Sequence, residues 1–220
     1  MGDVHKLWID GPVGKLEAAM RPADDPRGAV VLAHPHPLYG GTLHNPVIFH
    51  ADRALNRLGL TTLRFNFRGV EGSDGVHDEG HGEGHGEVDD VAAAARWLRD
   101  LVPQKPLVLV GYSFGSRCCL THAVAEPTIA GVVAIGLPVR IWPFDDAGAF
   151  FRPLAVVQGT NDEFGSIDEV EAVIARANPP GTLYRIEGAS HLFPGRAGEV
   201  GAVAALAVDD VLQTLAARAS

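Results

Sequence analysis

The feature that constrains this chain most is the stretch Leu107–Val108–Leu109–Val110–Gly111–Tyr112–Ser113–Phe114–Gly115–Ser116. An uncharged apolar run of strand length ends in G-x-S-x-G, and a helix-capable segment from Ser116 to Ala125 follows at once. A strand that turns sharply into a helix around a serine pushes that hydroxyl out of the sheet. Gly111 and Gly115 flank Ser113 because strand and helix backbones then run too close together for a Cβ. The new helix aims its free N-terminal N–H groups and the positive end of its dipole at whatever reacts with the serine.

The rest of the chain supplies the sheet that such a turn needs. Val4–Ile9 and Leu16–Met20 flank a turn-forming Asp10–Gly11–Pro12–Val13–Gly14 cluster and predict an antiparallel hairpin at a sheet edge. Further strands are predicted at Ala29–Ala33, Thr61–Phe67, Gly131–Leu137, Leu154–Gln158 and Thr182–Ile186. Helices are predicted at Asn45–Leu58, Val88–Leu101, Ile167–Ala177 and Val200–Ala217. Strands and helices alternate, and the strands scarcely alternate in polarity, the pattern of a parallel sheet covered on both faces. The expectation is α/β: one domain over residues 1–220, a mostly parallel, doubly wound sheet with an N-terminal antiparallel hairpin.

Composition narrows the function. The 220 residues carry a net charge of -9 and no Lys/Arg cluster, which argues against nucleic acid or an anionic membrane surface as partner. No run of 18 consecutive apolar residues suggests a membrane span, and Met1–Asp10 does not resemble a secretory signal. Cys118 and Cys119 are adjacent and poorly placed to pair with each other, which points to buried thiols in a reducing compartment, the cytoplasm.

In a doubly wound sheet, function gathers in the loops that leave the carboxyl ends of the strands. Ser113, Asp162 and His191 each follow such a strand, in the order nucleophile, acid, base. A hydroxyl of ordinary acidity is a poor nucleophile; His191 is expected to take its proton, and Asp162 to orient the imidazole and stabilise its cation. Glu163 and Asp168 compete for the acid role, but Asp162 lies nearest the strand end. An oxyanion hole needs backbone N–H groups from the residue after the serine, Phe114, and from the loop after Ala29–Ala33. Pro35 and Pro37 have no N–H, so His36 is the donor available in that loop. Two alternative metal readings compete: His34 and His36 as an H-x-H pair, and the His/Gly/Glu-rich run at 77–87. The first lacks an obvious third ligand, and the second also fits a Gly-rich loop ahead of a helix whose Glu87, Asp89 and Asp90 favour its N-terminus. No metal site is assigned.

With these residues in place the chain resembles the α/β-hydrolases, and most closely the small, lidless bacterial serine hydrolases among them. The resemblance is carried by HPHPLYGGTLHN (His34–Asn45), RFNFRGVEGSDG (Arg64–Gly75), GYSFGS (Gly111–Ser116), QGTNDEF (Gln158–Phe164) and GASHLF (Gly188–Phe193). It implies Ser113, Asp162 and His191 as a catalytic triad, His36 and Phe114 as oxyanion donors, and carboxylesterase-type activity on a small-molecule ester without a cofactor. The 77–87 run is longer than the resemblance leads one to expect. Only Pro138–Pro153 is available for a lid, room for no more than a turn or a small helix. Within it Ile141, Trp142, Phe144, Phe150 and Phe151 form either an apolar wall or packing over the sheet edge; Tyr39, Trp142 and Phe144 are the candidate substrate contacts. Thioesters and amides, or a non-catalytic protein that binds a small molecule or partner on the same fold, are the alternatives.

Overall fold

The computed structural model of the chain describes residues 2–77 and 84–219. Among them lies a sheet of strands His5–Gly11 (β1), Gly14–Arg21 (β2), Gly28–Ala33 (β3), Leu60–Phe65 (β4), Leu107–Tyr112 (β5), Ile129–Ile135 (β6), Leu154–Gly159 (β7) and Thr182–Ile186 (β8). Their order across the sheet is β1-β2-β4-β3-β5-β6-β7-β8. The hairpin β1–β2 and the β2–β4 pair are antiparallel, and every later pairing is parallel. This is the α/β-hydrolase arrangement anticipated above, with β5 and its serine turn near the middle.

The central strands are apolar on both sides because both faces are covered. Val31, Leu63, Leu109 and Val132 pack to one side with helices His85–Leu101 (α2), Phe114–Ala125 (α3) and Ile167–Ile174 (α4). Val30, Val108, Val110 and Val133 pack to the other with Pro46–Arg57 (α1) and Ala197–Ala219 (α5). Successive residues of a strand point to opposite faces, so a strand buried on both sides can carry no polar alternation. A buried ion cluster pins α1 to the sheet: Asp52 meets the Nε atoms of Arg21 at 3.0 Å and Arg64 at 3.2 Å, and accepts the Thr62 hydroxyl at 2.5 Å. By length and composition alone α5 could cross a membrane, an 18-residue window within Ala197–Arg218 having mean hydropathy 1.5. Here Val200, Ala204, Ala207, Val208 and Val211 are buried in the second core, the use a soluble fold makes of such a helix.

Several boundaries differ from the expectations, those of β6 and α2 for a tertiary reason. The fourth parallel strand begins at Ile129 rather than Gly131, since Ile129 pairs with Leu107 across a register shift. Its expected last residue, Leu137, leaves the ladder and donates its N–H to the Gln158 side chain at 2.7 Å. Helix α2 starts at His85 rather than Val88. The Arg68 guanidinium accounts for this: it donates to the Gly86 carbonyl at 2.5 Å and clamps Asp90 at 2.8 Å. Helix α3 begins directly at Phe114, α5 begins three residues early at Ala197, and α4 closes at Ile174. Between β6 and β7 the described secondary structure is a single 3₁₀ stretch, Asp145–Ala149, so no lid is inserted there among the described residues.

Candidate active site

The β5–α3 turn holds Ser113 at φ 52°, ψ −115°, outside the ordinary regions for a residue with a side chain. Such backbone costs on the order of 1–3 kcal/mol and persists where its surroundings force it, commonly at functional sites. The surroundings are explicit. A Cβ on Gly111 would lie 2.3 Å from the Gly115 carbonyl oxygen, and one on Gly115 would lie 2.4 Å from that of Ala33. The two glycines therefore let α3 fold back on β5 and let the loop after β3 close over the helix N-terminus.

Three loops converge on the hydroxyl of the half-buried Ser113. The Ser113 Oγ is 2.8 Å from His191 Nε2, and His191 Nδ1 is 3.0 and 2.9 Å from the two Asp162 oxygens. His191 and Asp162 are almost entirely buried, at 2% and 4% exposure, so their contact is shielded from water. Asp162 is an acceptor only, so Nδ1 carries the proton and Nε2 faces the serine as the basic nitrogen. Glu163, the competing acid, has a different task. Its carboxylate accepts the His191 backbone N–H at 3.0 Å, which holds its carboxyl below the usual range. Asp168 is exposed in the first turn of α4.

Sequence reasoning missed the groups that hold this arrangement. The Tyr112 hydroxyl donates to the His191 carbonyl at 2.9 Å, so Tyr112 and Glu163 grip the histidine backbone from both sides. The Phe164 N–H donates to Asp162 Oδ1 at 2.9 Å while its ring meets the imidazole edge-on, centroids 4.7 Å apart. Buried Gln158 accepts the Leu137 N–H and donates to the Gly165 carbonyl at 2.9 Å, joining the loops after β6 and β7. Only the location of these residues inside GYSFGS and QGTNDEF could have flagged them.

On the opposite flank His36 caps a 3₁₀ turn, Pro37–Tyr39, its Nδ1 accepting the Leu38 N–H at 3.2 Å. Its ring lies 4.9 Å from that of Phe114 and is stacked on Trp142 at 6.1 Å. Among the described residues, neither the His36 nor the Phe114 backbone N–H is committed to an acceptor. Tyr39 is 88% exposed beside His36, and Trp142 is half-buried against Phe114. Phe144 needs correction as a substrate contact. It is buried at 2%, with the Arg117 guanidinium over its ring at 5.6 Å, and like Phe150 it packs the core.

The metal alternatives fare differently. His34 is completely buried and uses both ring nitrogens: Nδ1–H donates to the Pro35 carbonyl at 2.6 Å and Nε2 accepts the Phe67 N–H at 3.1 Å. Burial lowers its pKa to about 4, and it serves as a neutral strut rather than half of an H-x-H ligand pair. Of the 77–87 run, residues 78–83 lie outside the described residues; His77 gives its Nδ1 to Glu87 at 2.6 Å. Among the described residues no three His, Cys, Asp or Glu side chains are grouped to hold a metal ion. Cys118 and Cys119 are free and buried, and burial raises both thiol pKa values.

Known proteins match this architecture closely. A profile of the α/β-hydrolase fold matches residues 35–148. A lidless α/β serine hydrolase of Xanthomonas campestris is 33% identical, with 94% of each chain covered and a TM-score of 0.83. An α/β serine hydrolase homologue of Coxiella burnetii is also 33% identical, covering 94% of this chain and 97% of its own, with a TM-score of 0.81. An uncharacterized protein of Rickettsia prowazekii is 34% identical over 96% of this chain and 89% of its own length. More than half the chain thus fits one profile, and nearly all of it aligns with relatives that are 33–34% identical: the chain belongs to the α/β-hydrolase superfamily, as a lidless hydrolase.

Proposed function

We propose that this hydrolase is a carboxylesterase-type serine enzyme that cleaves a small ester through an acyl-enzyme on Ser113, acting as one cytoplasmic domain. The observation that carries the proposal is the unbroken line from Ser113 Oγ through His191 to Asp162, 2.8 Å on one side of the imidazole and 2.9 Å on the other. His191 takes the serine proton as Oγ attacks the ester carbonyl, and Asp162 stabilises the imidazolium. The negative oxygen of the tetrahedral intermediate is received by the His36 and Phe114 amides, assisted by the N-terminus of α3. His191 then protonates the leaving alcohol, and water repeats the sequence to release the acid.

The missing lid and the exposed Tyr39 suit small or protruding esters presented in water, with Trp142 as the adjoining apolar contact. The test is labelling by a fluorophosphonate alongside hydrolysis of p-nitrophenyl esters. Stoichiometric modification of Ser113 that requires His191 is expected; a folded wild-type protein that neither labels nor hydrolyses esters would overturn the proposal.

A further inference from the structure

A second histidine–carboxylate pair lies on the other side of the nucleophile, and the mechanism above does not use it. Glu87, in the first turn of α2, has no exposed surface, and its Oε1 accepts Nδ1–H of His77 at 2.6 Å. The His77 side chain is itself only 10% exposed. Its ring meets that of His36 edge-on at 4.9 Å and that of Phe114 at 5.8 Å. These are the two residues whose amides are assigned above to the oxyanion. Helix α2 bears on the same point directly: a Cβ on Gly84, its N-cap, would lie 2.6 Å from the Phe114 ring.

We propose that His77 and Glu87 are positioning residues for the oxyanion hole: Glu87 fixes the His77 ring, and that ring sets the distance between the His36 loop and the Phe114 end of α3. The inference rests on the esterase reading. The physical case is one of rigidity. Backbone donors stabilise a developing charge only when they are already in place, because any reorganisation during the reaction subtracts from the benefit. The His36 loop hangs from β3 with a proline on each side of the donor, and ring contacts with Phe114, Trp142, Tyr39 and His77 surround its side chain. A charge-assisted hydrogen bond to a buried carboxylate is the means of stopping one of those rings from turning. Arg68, which binds Asp90 and the Gly86 carbonyl, holds the α2 turn that carries Glu87.

The experiment measures kcat, KM and the affinity of an alkylboronic acid for wild type, His77→Ala, Glu87→Ala and Glu87→Gln. In the boronate adduct Ser113 Oγ bonds to boron, its proton passes to His191, and one boronate oxygen takes the oxyanion position. Fluorophosphonate labelling of the wild type tests the esterase reading separately. In His77→Ala and Glu87→Ala, kcat and boronate affinity should fall together by about tenfold, less than deletion of a donor costs, with KM nearly unchanged. Glu87→Gln keeps an acceptor for Nδ1–H and should recover most of the loss, with thermal midpoints compared to confirm folding. Unchanged boronate affinity in folded His77→Ala and Glu87→Ala variants overturns the inference, as does a rise in KM alone, which would make His77 a substrate contact.

Discussion

The two buried histidine–carboxylate pairs, His191–Asp162 and His77–Glu87, look alike when each is viewed alone, with Nδ1 to carboxylate distances of 2.9 and 2.6 Å. They differ in what the far edge of the imidazole meets. His191 presents Nε2 to a hydroxyl at 2.8 Å; His77 presents its ring to two other rings. They also differ in support. Tyr112, Glu163 and Phe164 all hold His191 or its acid, whereas His77 is held by Glu87 of α2. The contrast teaches that a carboxylate orients an imidazole in either case, and that the chemistry is decided by the group on the other nitrogen. His34 is the third case, with both nitrogens given to backbone groups and no reactive partner.

The largest effect that sharpens this contrast should come from the line itself. Ser113→Ala and His191→Ala should each lower kcat by roughly 10⁴–10⁶, with little additivity in the double variant because the two act as a unit. Additive losses in ester hydrolysis would break the assignment. Next is the choice of acid: Asp162→Asn should cost on the order of 10³–10⁴ in kcat by losing the productive tautomer. Glu163→Gln retains an acceptor for the His191 backbone N–H and should remain within a few-fold of wild type. A reversed order would exchange their roles.

The neutral histidine predicts a stability effect. The folded protein holds His34 at a pKa of about 4, below the 6.5 of an unperturbed histidine, so the unfolded chain binds the extra proton first as the medium is acidified. The contribution is fully present above pH 6.5, is lost as pH falls towards 4, and amounts to about 3 kcal/mol at about 1.4 kcal/mol per pKa unit. Thermal melts between pH 7 and 4 should therefore show a shallower decline in His34→Gln, whose amide does not titrate; parallel curves would refute the claim. The smallest effect expected is for Phe164→Ala, which removes the edge-on ring from His191 but leaves the backbone N–H to Asp162: roughly three- to tenfold in kcat, read from the same ester assay.

Much of the site was legible because its chemistry is written in local form. G-x-S-x-G after an apolar run describes a turn whose crowding is local in the chain, and the two glycines meet the close contacts that the motif implies. Pro35 and Pro37 singled out the His36 amide by removing its neighbours as donors. The aromatic segment after β6 was not legible in this way. Trp142 and Phe144 are two residues apart with the same apolar character, yet one lies beside His36 and the other under Arg117 in the core.

The sequence by itself determined the sheet class, the serine turn and the order of the reactive loops, because strand-length apolar runs, glycine crowding and chain order are properties of neighbouring residues. Only the tertiary structure decided which of ten histidines meets the serine and which of three nearby carboxylates meets that histidine. It also decided that His77 and Glu87 sit against His36 and Phe114. The physical reason is that hydrogen bonds and ring contacts reach only a few ångströms, while the residues they join lie 78 positions apart for Ser113 and His191 and 29 apart for Asp162 and His191. Such contacts exist only once the sheet has brought its loops together.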